Sequence, residues 1–437
     1  MPTWPTCGAG AGRASDGGLH RLALVLGIAA GLLAGCGDMA ARDPAAQPGL
    51  AAASQPAKPA QPFDDAVASL TDALLAKAGL PDGGRRGLVI DPLIERASEG
   101  ETVATRSIGA AMARRVQEHH PRFELRPFTT ASLAEHPLIL LGSMAGVEAA
   151  GSTRPAVGRP RVWRIWAAIA DLETNRVLGR EMVWVEAEEV QATPTAFFRD
   201  SPVWAPDPVA AAYIRTCSST AGTPIDPVYL QALQAQALLA DATAAYDEGR
   251  TTEALGDYRQ ALSLPGGEQL RSLNGLYLTA WELGRRREAE EAFGRLVDYG
   301  IRQDRLAVKL LFRPGSTAYW PDPSVSLPYP MWLRQIARHA DDRTACLLVS
   351  GHTSTTGRPA LNDRLSLARA QYVRGRLVAE RPAMQERTRA EGLGARQPII
   401  GTGADDASDA LDRRVEFRPL PCRVLTTGLD GATPGGT

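Results

Sequence analysis

Hydrophobic and polar positions follow two different periods in the first folded region of the chain, about residues 63–213. Phe63, Val67, Leu70 and Leu74 recur at helical spacing, and the pattern over 102–118 predicts a second amphipathic helix. Short apolar runs predict buried strands at 87–91, 137–142, 162–169 and 182–185. This mixture of helices and strands predicts an α+β domain.

The second region, about residues 227–301, is helical throughout, and its pattern repeats. Gly249 recurs as Gly284, and three further pairs keep the same offset: Ala254 and Ala289, Tyr258 and Phe293, Tyr246 and Trp281. The unit resembles the tetratricopeptide repeat, which implies helical hairpins that bind proteins. Two units are fewer than such stacks need, so we expect a cap from the helix at 228–245 or from a neighbouring domain. A helical spacer without a ligand groove remains the alternative.

The third region, about residues 306–422, carries a series of short motifs in a fixed order. They are the strand 308–312, the strand 347–353 ending in Gly-His-Thr, the helix motif 362–370, the turn 391–394 and the strand 413–417. This series resembles the C-terminal domain of the outer-membrane protein A family, shared with peptidoglycan-associated lipoprotein and flagellar motor stators. The resemblance implies a βαβαββ fold, so we expect a multidomain α+β protein.

The resemblance also implies a non-covalent peptidoglycan site. Its expected residues are His352, Thr353, Ser354, Asn362, Leu365, Ser366, Arg369, Arg413 and Arg414. In the family, the arginine at position 369 pairs with a carboxylate of the diaminopimelate in the stem peptide, and the planar guanidinium fork suits that contact. We expect Gly351, which lacks a side chain, to let the ligand approach the backbone.

Three departures from the family pattern bear on this site. Ser354 stands where the family has an aspartate that holds the diaminopimelate ammonium, Asp412 stands where an asparagine is usual, and 319–330 is rich in proline. Losing a charge-assisted hydrogen bond costs about 1.5–3 kcal/mol, so binding is expected to be weak or directed to another stem peptide. Five carboxylates could replace the lost one: Asp363, Asp405, Asp406, Asp409 and Asp412.

The beginning of the chain predicts its location. The apolar run 22–33 follows basic residues and is too short to span a bilayer, as in a secretory signal. It ends in Leu-Ala-Gly-Cys36, which resembles the lipobox of bacterial lipoproteins and implies removal of 1–35 and acylation of Cys36. Gly37 then implies outer-membrane sorting, facing the periplasm. An ordinary signal with an incidental cysteine is the alternative. Residues 36–62 and 423–437 are expected to be a disordered tether and tail.

Three cysteines remain in the mature chain: Cys217, Cys346 and Cys422. There is no Cys-x-x-Cys pair, and the six histidines show no ligand spacing, so we expect no metal site. In the resembled family, the second and last strands border the ligand site. If these strands are antiparallel neighbours, their opposite ends bring Cys346 and Cys422 together as a disulfide and leave Cys217 free. Three unpaired cysteines are the alternative.

Charge and the missing catalytic motifs narrow the function. Lys and Arg total 48 and Asp and Glu 49, for a net charge of -1, which argues against nucleic-acid binding. No nucleophile elbow or phosphate-binding loop is present, so we expect neither catalysis nor a cofactor.

The first region resembles the small binding domain of curli-secretion, flagellar and penicillin-binding-protein-activator lipoproteins.

Together these patterns predict an outer-membrane lipoprotein that tethers the membrane to peptidoglycan. Its acyl chains would hold the membrane, and its first two regions would bind an unidentified periplasmic protein. A regulator of a cell-wall synthase and a structural subunit of a secretion or flagellar apparatus are the alternatives.

Overall fold

The computed structural model describes residues 59–79, 84–156, 158–401, 403 and 411–426. The expected signal segment, Cys36 and most of the tether and tail lie outside these residues. The described residues belong to one compact unit, so the three regions pack together. Within them, no helix is both long enough and apolar enough to cross a membrane.

The first region forms a six-stranded sheet with helices on both faces. Its elements are α1 (Phe63–Ala76), β1 (Arg86–Ile90), β2 (Ile94–Glu95), α2 (Val103–His119), β3 (Phe123–Leu125), α3 (Thr130–Leu133), β4 (Leu138–Val147), β5 (Val162–Asp171), β6 (Arg176–Glu186), α4 (Ala196–Asp200), β7 (Val203–Trp204) and α5 (Pro208–Ser218). The strand order is β3-β1-β4-β5-β6, with β2 beside β4. β4, β5 and β6 are antiparallel, whereas β1 is parallel to β3 and β4. α1 and α2 cover one face of the sheet.

The second region consists of two helical hairpins. They are formed by α6 (Pro227–Asp247) with α7 (Thr251–Leu262), and by α8 (Leu270–Glu282) with α9 (Arg286–Arg302). The turns use Gly249 and Gly284, whose φ angles of 77° and 72° favour glycine. The repeated alanines and the aromatic residues Tyr258 and Phe293 are fully buried. α6 is the first helix of the first hairpin rather than a separate cap, and its beginning packs with α5 on the second face of the first sheet.

The C-terminal region has the expected βαβαββ order. Its elements are β8 (Leu306–Val308), α10 (Pro323–Ser326), α11 (Tyr329–Asp342), β9 (Cys346–His352), α12 (Pro359–Glu380), α13 (Met384–Arg387), β10 (Thr388–Gly394), β11 (Val415–Leu420) and α14 (Cys422–Thr426). β9 is parallel to β10, and β11 is antiparallel to both β9 and β8. α14 therefore occupies the start of the segment expected to be a disordered tail.

A strand from the first region completes the C-terminal sheet, whose order is β10-β9-β11-β8-β7. Val203 pairs with Val308 and Trp204 with Ala307. The second region fixes this strand too, since the Nδ2 atom of Asn274 donates to the Val203 carbonyl at 2.9 Å. A strand that precedes the boundary expected near residue 213 thus belongs to the sheet of the C-terminal region.

The neighbouring C-terminal region covers the free end of the second hairpin. Trp332 on α11 stacks on Phe293, with ring centroids 5.3 Å apart and planes within 3°. Its Nε1 atom also donates to the hydroxyl of Tyr277 at 2.8 Å. α11 therefore packs on the aromatic residues of the second hairpin.

A disulfide joins Cys346 and Cys422, whose Cα atoms lie 5.2 Å apart. In the antiparallel register of β9 and β11, Cys346 lies opposite Leu420, two residues before Cys422. Cys217 is a buried free thiol. This is the pairing argued from the antiparallel arrangement of the family.

Candidate functional site

The contact between β9 and α12 positions the motif residues of the C-terminal region. A Cβ atom on Gly351 would lie 2.0 Å from the carbonyl oxygen of Ser366. Only glycine therefore allows α12 to cross β9 this closely. The expected role of Gly351 is corrected accordingly, because the helix backbone, and not a ligand, occupies the space beside it.

Ser366 and Asn362 hold the surroundings of α12 in place. The hydroxyl of Ser366 accepts from the Gly394 amide and donates to the Asp363 carbonyl, both at 2.9 Å. Asn362 donates from Nδ2 to the Thr356 carbonyl at 2.9 Å. Ser366 is fully buried and supports the end of β10, and its ligand contact stays a prediction. Leu365, on the same helix, is half-buried.

Arg369 is a buried cation that is held at one edge. Its Nε donates to the Ser316 carbonyl and its Nη2 to the Arg313 carbonyl, both at 3.1 Å. Its guanidinium carbon lies 4.8 Å from the centroid of the Phe312 ring, and the residue is only 7% exposed. Burial, and then the charge of Arg413, lower the pKa of Arg369 to about 10.

No carboxylate among the described residues forms an ion pair with Arg369. Its Nη1 atom makes no hydrogen bond to any described residue. The two carbonyl contacts fix the plane of the guanidinium without neutralising it. The arrangement therefore presents a positioned donor edge to an incoming anion.

The residues after β9 form a buried corner beside the end of β10. The backbone amide of Thr353 donates to the Gly394 carbonyl at 2.9 Å. Neither ring nitrogen of His352 has a hydrogen-bond partner among the described residues, nor does the Thr353 hydroxyl. Burial, and then the charge of Arg414, lower the pKa of His352 to about 3, so its ring is neutral. The Ser354 hydroxyl lies 3.0 Å from that of Thr356.

Arg414 and Arg413 have different surroundings. Arg414 is buried and donates from Nη2 to Glu416 at 3.1 Å and to the Gln397 carbonyl at 3.2 Å. Its side chain has no exposed surface and pairs with Glu416, and its ligand contact stays a prediction. Arg413 is half-buried, and its charge acts on Arg369.

Glu416 has a second arginine partner that no sequence motif predicts. Arg305 donates from Nη2 to Glu416 Oε2 at 3.0 Å. Burial alone would raise the pKa of Glu416, but the Arg305 hydrogen bond and the charge of Arg414 lower it overall. Arg305 lies in the turn before β8, where no pattern distinguishes it from a surface arginine.

Two of the five candidate replacement carboxylates are already engaged. Asp412 is fully buried and accepts from the amides of Ile399, Ile400 and Gly401 at 2.7, 2.9 and 2.8 Å. It closes a turn and has no exposed surface for a ligand. Asp363 pairs with Arg396 at 2.5 Å. Asp405, Asp406 and Asp409 lie outside the described residues.

The site offers binding chemistry rather than metal chemistry. In the part of the chain that the structure describes, no group of three His, Cys, Asp or Glu side chains could hold a metal ion. The Arg369 guanidinium is fixed on α12 with Arg413 as its charged neighbour, and the small hydroxyl residues after β9 contact Asn362 near the start of the same helix. Such a set suits a carboxylate with neighbouring polar groups.

Comparison with known proteins places this region in a family. Residues 331–410 match the model of the OmpA family. An 88-residue stretch is 36% identical to outer membrane protein Omp38 of Acinetobacter baumannii, in strains ATCC 17978 and ATCC 19606. The match covers 20% of this chain and 24% of Omp38, so the chain spans about a quarter of the length of these curated relatives.

Two solved structures are similar to part of this chain. The peptidoglycan-associated lipoprotein from Burkholderia pseudomallei is 25% identical and matches over 25% of this chain and 88% of its own, with a TM-score of 0.22. The cell wall anchor of the T6SS from Pseudomonas aeruginosa is 26% identical over 29% of this chain and 94% of its own, with a TM-score of 0.23.

Proposed function

We propose that this protein is a non-enzymatic component of the cell envelope that binds peptidoglycan non-covalently through its C-terminal region. The ligand group is the free carboxylate of diaminopimelate in the stem peptide. The observation that carries the proposal is the buried Arg369 guanidinium, which two carbonyls orient and no described carboxylate neutralises. The OmpA family match over 331–410 supports the same ligand class.

The buried guanidinium of Arg369 has a positive charge that its surroundings do not neutralise. Removing a guanidinium from water is costly unless an opposite charge or enough hydrogen bonds replace the solvent. Two carbonyls satisfy part of that requirement at Arg369, and a carboxylate would supply the missing charge. Arg413 adds positive potential beside it. The ligand-free site is therefore preorganised for an anion.

We expect Arg369→Ala to weaken binding to purified sacculi by at least tenfold. A charge-assisted hydrogen bond contributes about 1.5–3 kcal/mol, and roughly 1.4 kcal/mol corresponds to tenfold in affinity. Co-sedimentation of the chain from Ala57 onward with sacculi measures the change. Arg364→Ala is the matched control, because Arg364 is an exposed arginine on the same helix. Equal sedimentation of wild type and Arg369→Ala would contradict the proposal.

We expect Ser354→Asp to strengthen sacculus binding by about tenfold, because it restores a carboxylate for the diaminopimelate ammonium. Asp412 cannot serve that purpose, since three backbone amides already occupy its carboxylate. Ser354→Asn is the control, being similar in size and uncharged. If the aspartate and asparagine variants bind equally, the added charge has no partner in the ligand.

The membrane attachment is a further part of the proposal. The Leu-Ala-Gly-Cys36 sequence supports an acylated N-terminal cysteine that holds the chain in the outer membrane, facing the periplasm. We expect Cys36→Ser to move the protein from the membrane fraction to the soluble periplasmic fraction, as measured by fractionation and immunoblotting. A Cys217→Ser variant controls for the loss of a thiol. Retention of Cys36→Ser in the outer membrane after a high-salt wash would contradict lipid anchoring.

The first and second regions are the proposed binding surfaces for a periplasmic protein. Trp332 on α11 closes one end of the two hairpins, and Tyr213 on α5 packs against Tyr229 on α6 with ring centroids 5.5 Å apart. The surfaces between these two ends remain for a partner. Capture of a cell-wall synthase by these regions would favour a regulator. Capture of proteins of a secretion or flagellar apparatus would favour a structural subunit.

A further inference from the structure

A second unneutralised arginine lies in the first region, far along the chain from Arg369. Arg164 is on β5, between Ala145 of β4 and Trp184 of β6 in the register of the sheet. It is only 8% exposed. Among the described residues its side chain makes no hydrogen bond and no ion pair, and its Nε atom is enclosed without an acceptor.

Arg164 shares an aromatic ring with another arginine. Its guanidinium carbon lies 4.4 Å from the centroid of Trp166, and that of Arg96, just after β2, lies 5.7 Å from the same ring. Arg96 is exposed and has no ion-pair partner among the described residues. The Nε1 atom of Trp166 is also buried without an acceptor there. Two guanidiniums therefore meet at the ring of Trp166, and both the Arg164 Nε and the Trp166 Nε1 lack an acceptor among the described residues.

The electrostatic surroundings of Arg164 have one sign. Burial, and then the charge of Arg96, lower the pKa of Arg164, and no carboxylate acts in the opposite direction. Arg414 is the contrasting case, since its buried guanidinium has Glu416 at 3.1 Å. A ring face stabilises a guanidinium by about 0.5–2 kcal/mol, which falls short of the several kcal/mol needed to desolvate it. Arg164 itself therefore lacks a counter-charge among the described residues.

We propose that Arg164, Arg96 and Trp166 form a binding site for a doubly charged oxyanion, namely a phosphate group. Stacking on Trp166 holds the guanidinium by its face and leaves its edge to bind two oxygens of one anion. No carboxylate acts on Arg164, whereas the charge of Arg96 also acts on the buried carboxyl of Glu95. A phosphate has enough oxygens to contact both guanidiniums at once. The site is on the first sheet and does not depend on peptidoglycan binding.

Binding of inorganic phosphate to the full chain tests the proposal by isothermal titration calorimetry. We expect saturable binding that Arg164→Met weakens by at least tenfold, because a bidentate charge-assisted contact is lost. Arg96→Gln should weaken binding as well. Arg114→Gln is the control, since Arg114 is exposed on α2. Without phosphate, Arg164→Met should melt no lower than wild type, because it removes an unneutralised buried charge and keeps a similar volume.

Vesicles of phosphatidic acid distinguish a lipid headgroup from a soluble phosphate as the ligand, with phosphatidylcholine vesicles as the control. Binding to phosphatidic acid that Arg164→Met abolishes would identify a lipid headgroup, and binding of free phosphate alone a soluble ligand. Either result supports the site. Absence of binding to both probes at millimolar phosphate would overturn it. So would phosphate binding that neither Arg164→Met nor Arg96→Gln changes, together with a lower melting temperature of Arg164→Met, since Arg164 would then be structural.

Discussion

Replacing Glu416 by glutamine is expected to lower the free energy of unfolding by about 3–5 kcal/mol, the cost of breaking a buried ion pair from one side. Glu416 accepts from Arg305 at 3.0 Å and from Arg414 at 3.1 Å. The Arg414 side chain is fully enclosed, so no water can replace the lost carboxylate. Arg305 is partly exposed and contributes less, because solvent screens its charge. Urea denaturation at neutral pH measures the loss.

The effect should depend on pH in one direction. The folded protein lowers the pKa of Glu416 below its ordinary value of 4.5, so ionised Glu416 contributes stability above that pH. This contribution is lost as pH falls from about 4.5 through the folded pKa. The difference between wild type and Glu416→Gln should therefore be constant near neutrality and shrink in acid.

A rescue variant and a surface control make this result specific. Arg414→Met added to Glu416→Gln should recover part of the lost stability, because it removes the enclosed charge left unpaired. Glu386→Gln changes an exposed glutamate on α13 and should shift stability by no more than about 0.5 kcal/mol. If Arg414→Met and Glu416→Gln each lower the free energy of unfolding and the two losses add in the double variant, the ion pair does not stabilise β11.

The sequence predicted the C-terminal fold because its motifs are ordered and closely spaced. The strands at 347–353 and 413–417, with the helix motif between them, leave little freedom in a βαβαββ domain. The cysteine pairing follows from the same topology, since an antiparallel register joins the far ends of two strands once their near ends are placed. In both cases the prediction rested on the resemblance to the family, which places the near ends of these strands beside the ligand site.

Contacts between distant segments could not be predicted in this way. β7 contains only two residues, too few for a period to show, yet it extends a sheet that begins at Leu306. Gly351 appears suited to a ligand until the structure places the Ser366 carbonyl against it. These contacts depend on which surfaces meet in the folded chain, and no local pattern in the sequence predicts that.

Sequence motifs do not predict the roles of the charged residues. Arg369 and Arg414 belong to the same family pattern, but one presents an open edge and the other is enclosed by Glu416 and the Gln397 carbonyl. Arg164 lies inside a strand run and carries no motif at all. A side chain's role follows from its counter-charge, and that comes from other elements.

Cys422→Ser is expected to lower the free energy of unfolding by about 4 kcal/mol, because the bridge closes a loop between residues 76 positions apart and restricts the unfolded chain. Cys422 is exposed while Cys346 is buried, so the serine at 422 removes the bridge without placing a hydroxyl in the core. Urea denaturation with and without reductant measures the change. Wild type should lose stability on reduction, whereas Cys422→Ser should not respond.

The loss should affect stability without weakening the ligand site. In the register of β9 and β11, Cys346 lies opposite Leu420 at one end, and Gly351 lies opposite Val415 at the other, beside His352 and Arg414. Below its melting temperature, Cys422→Ser should therefore sediment with sacculi as wild type does. Thiol labelling of the unfolded, non-reduced chain from Ala57 onward supplies the direct count. One reactive cysteine, Cys217, is expected, and three would show that no bridge forms and that the strand pairing alone holds this end of the sheet.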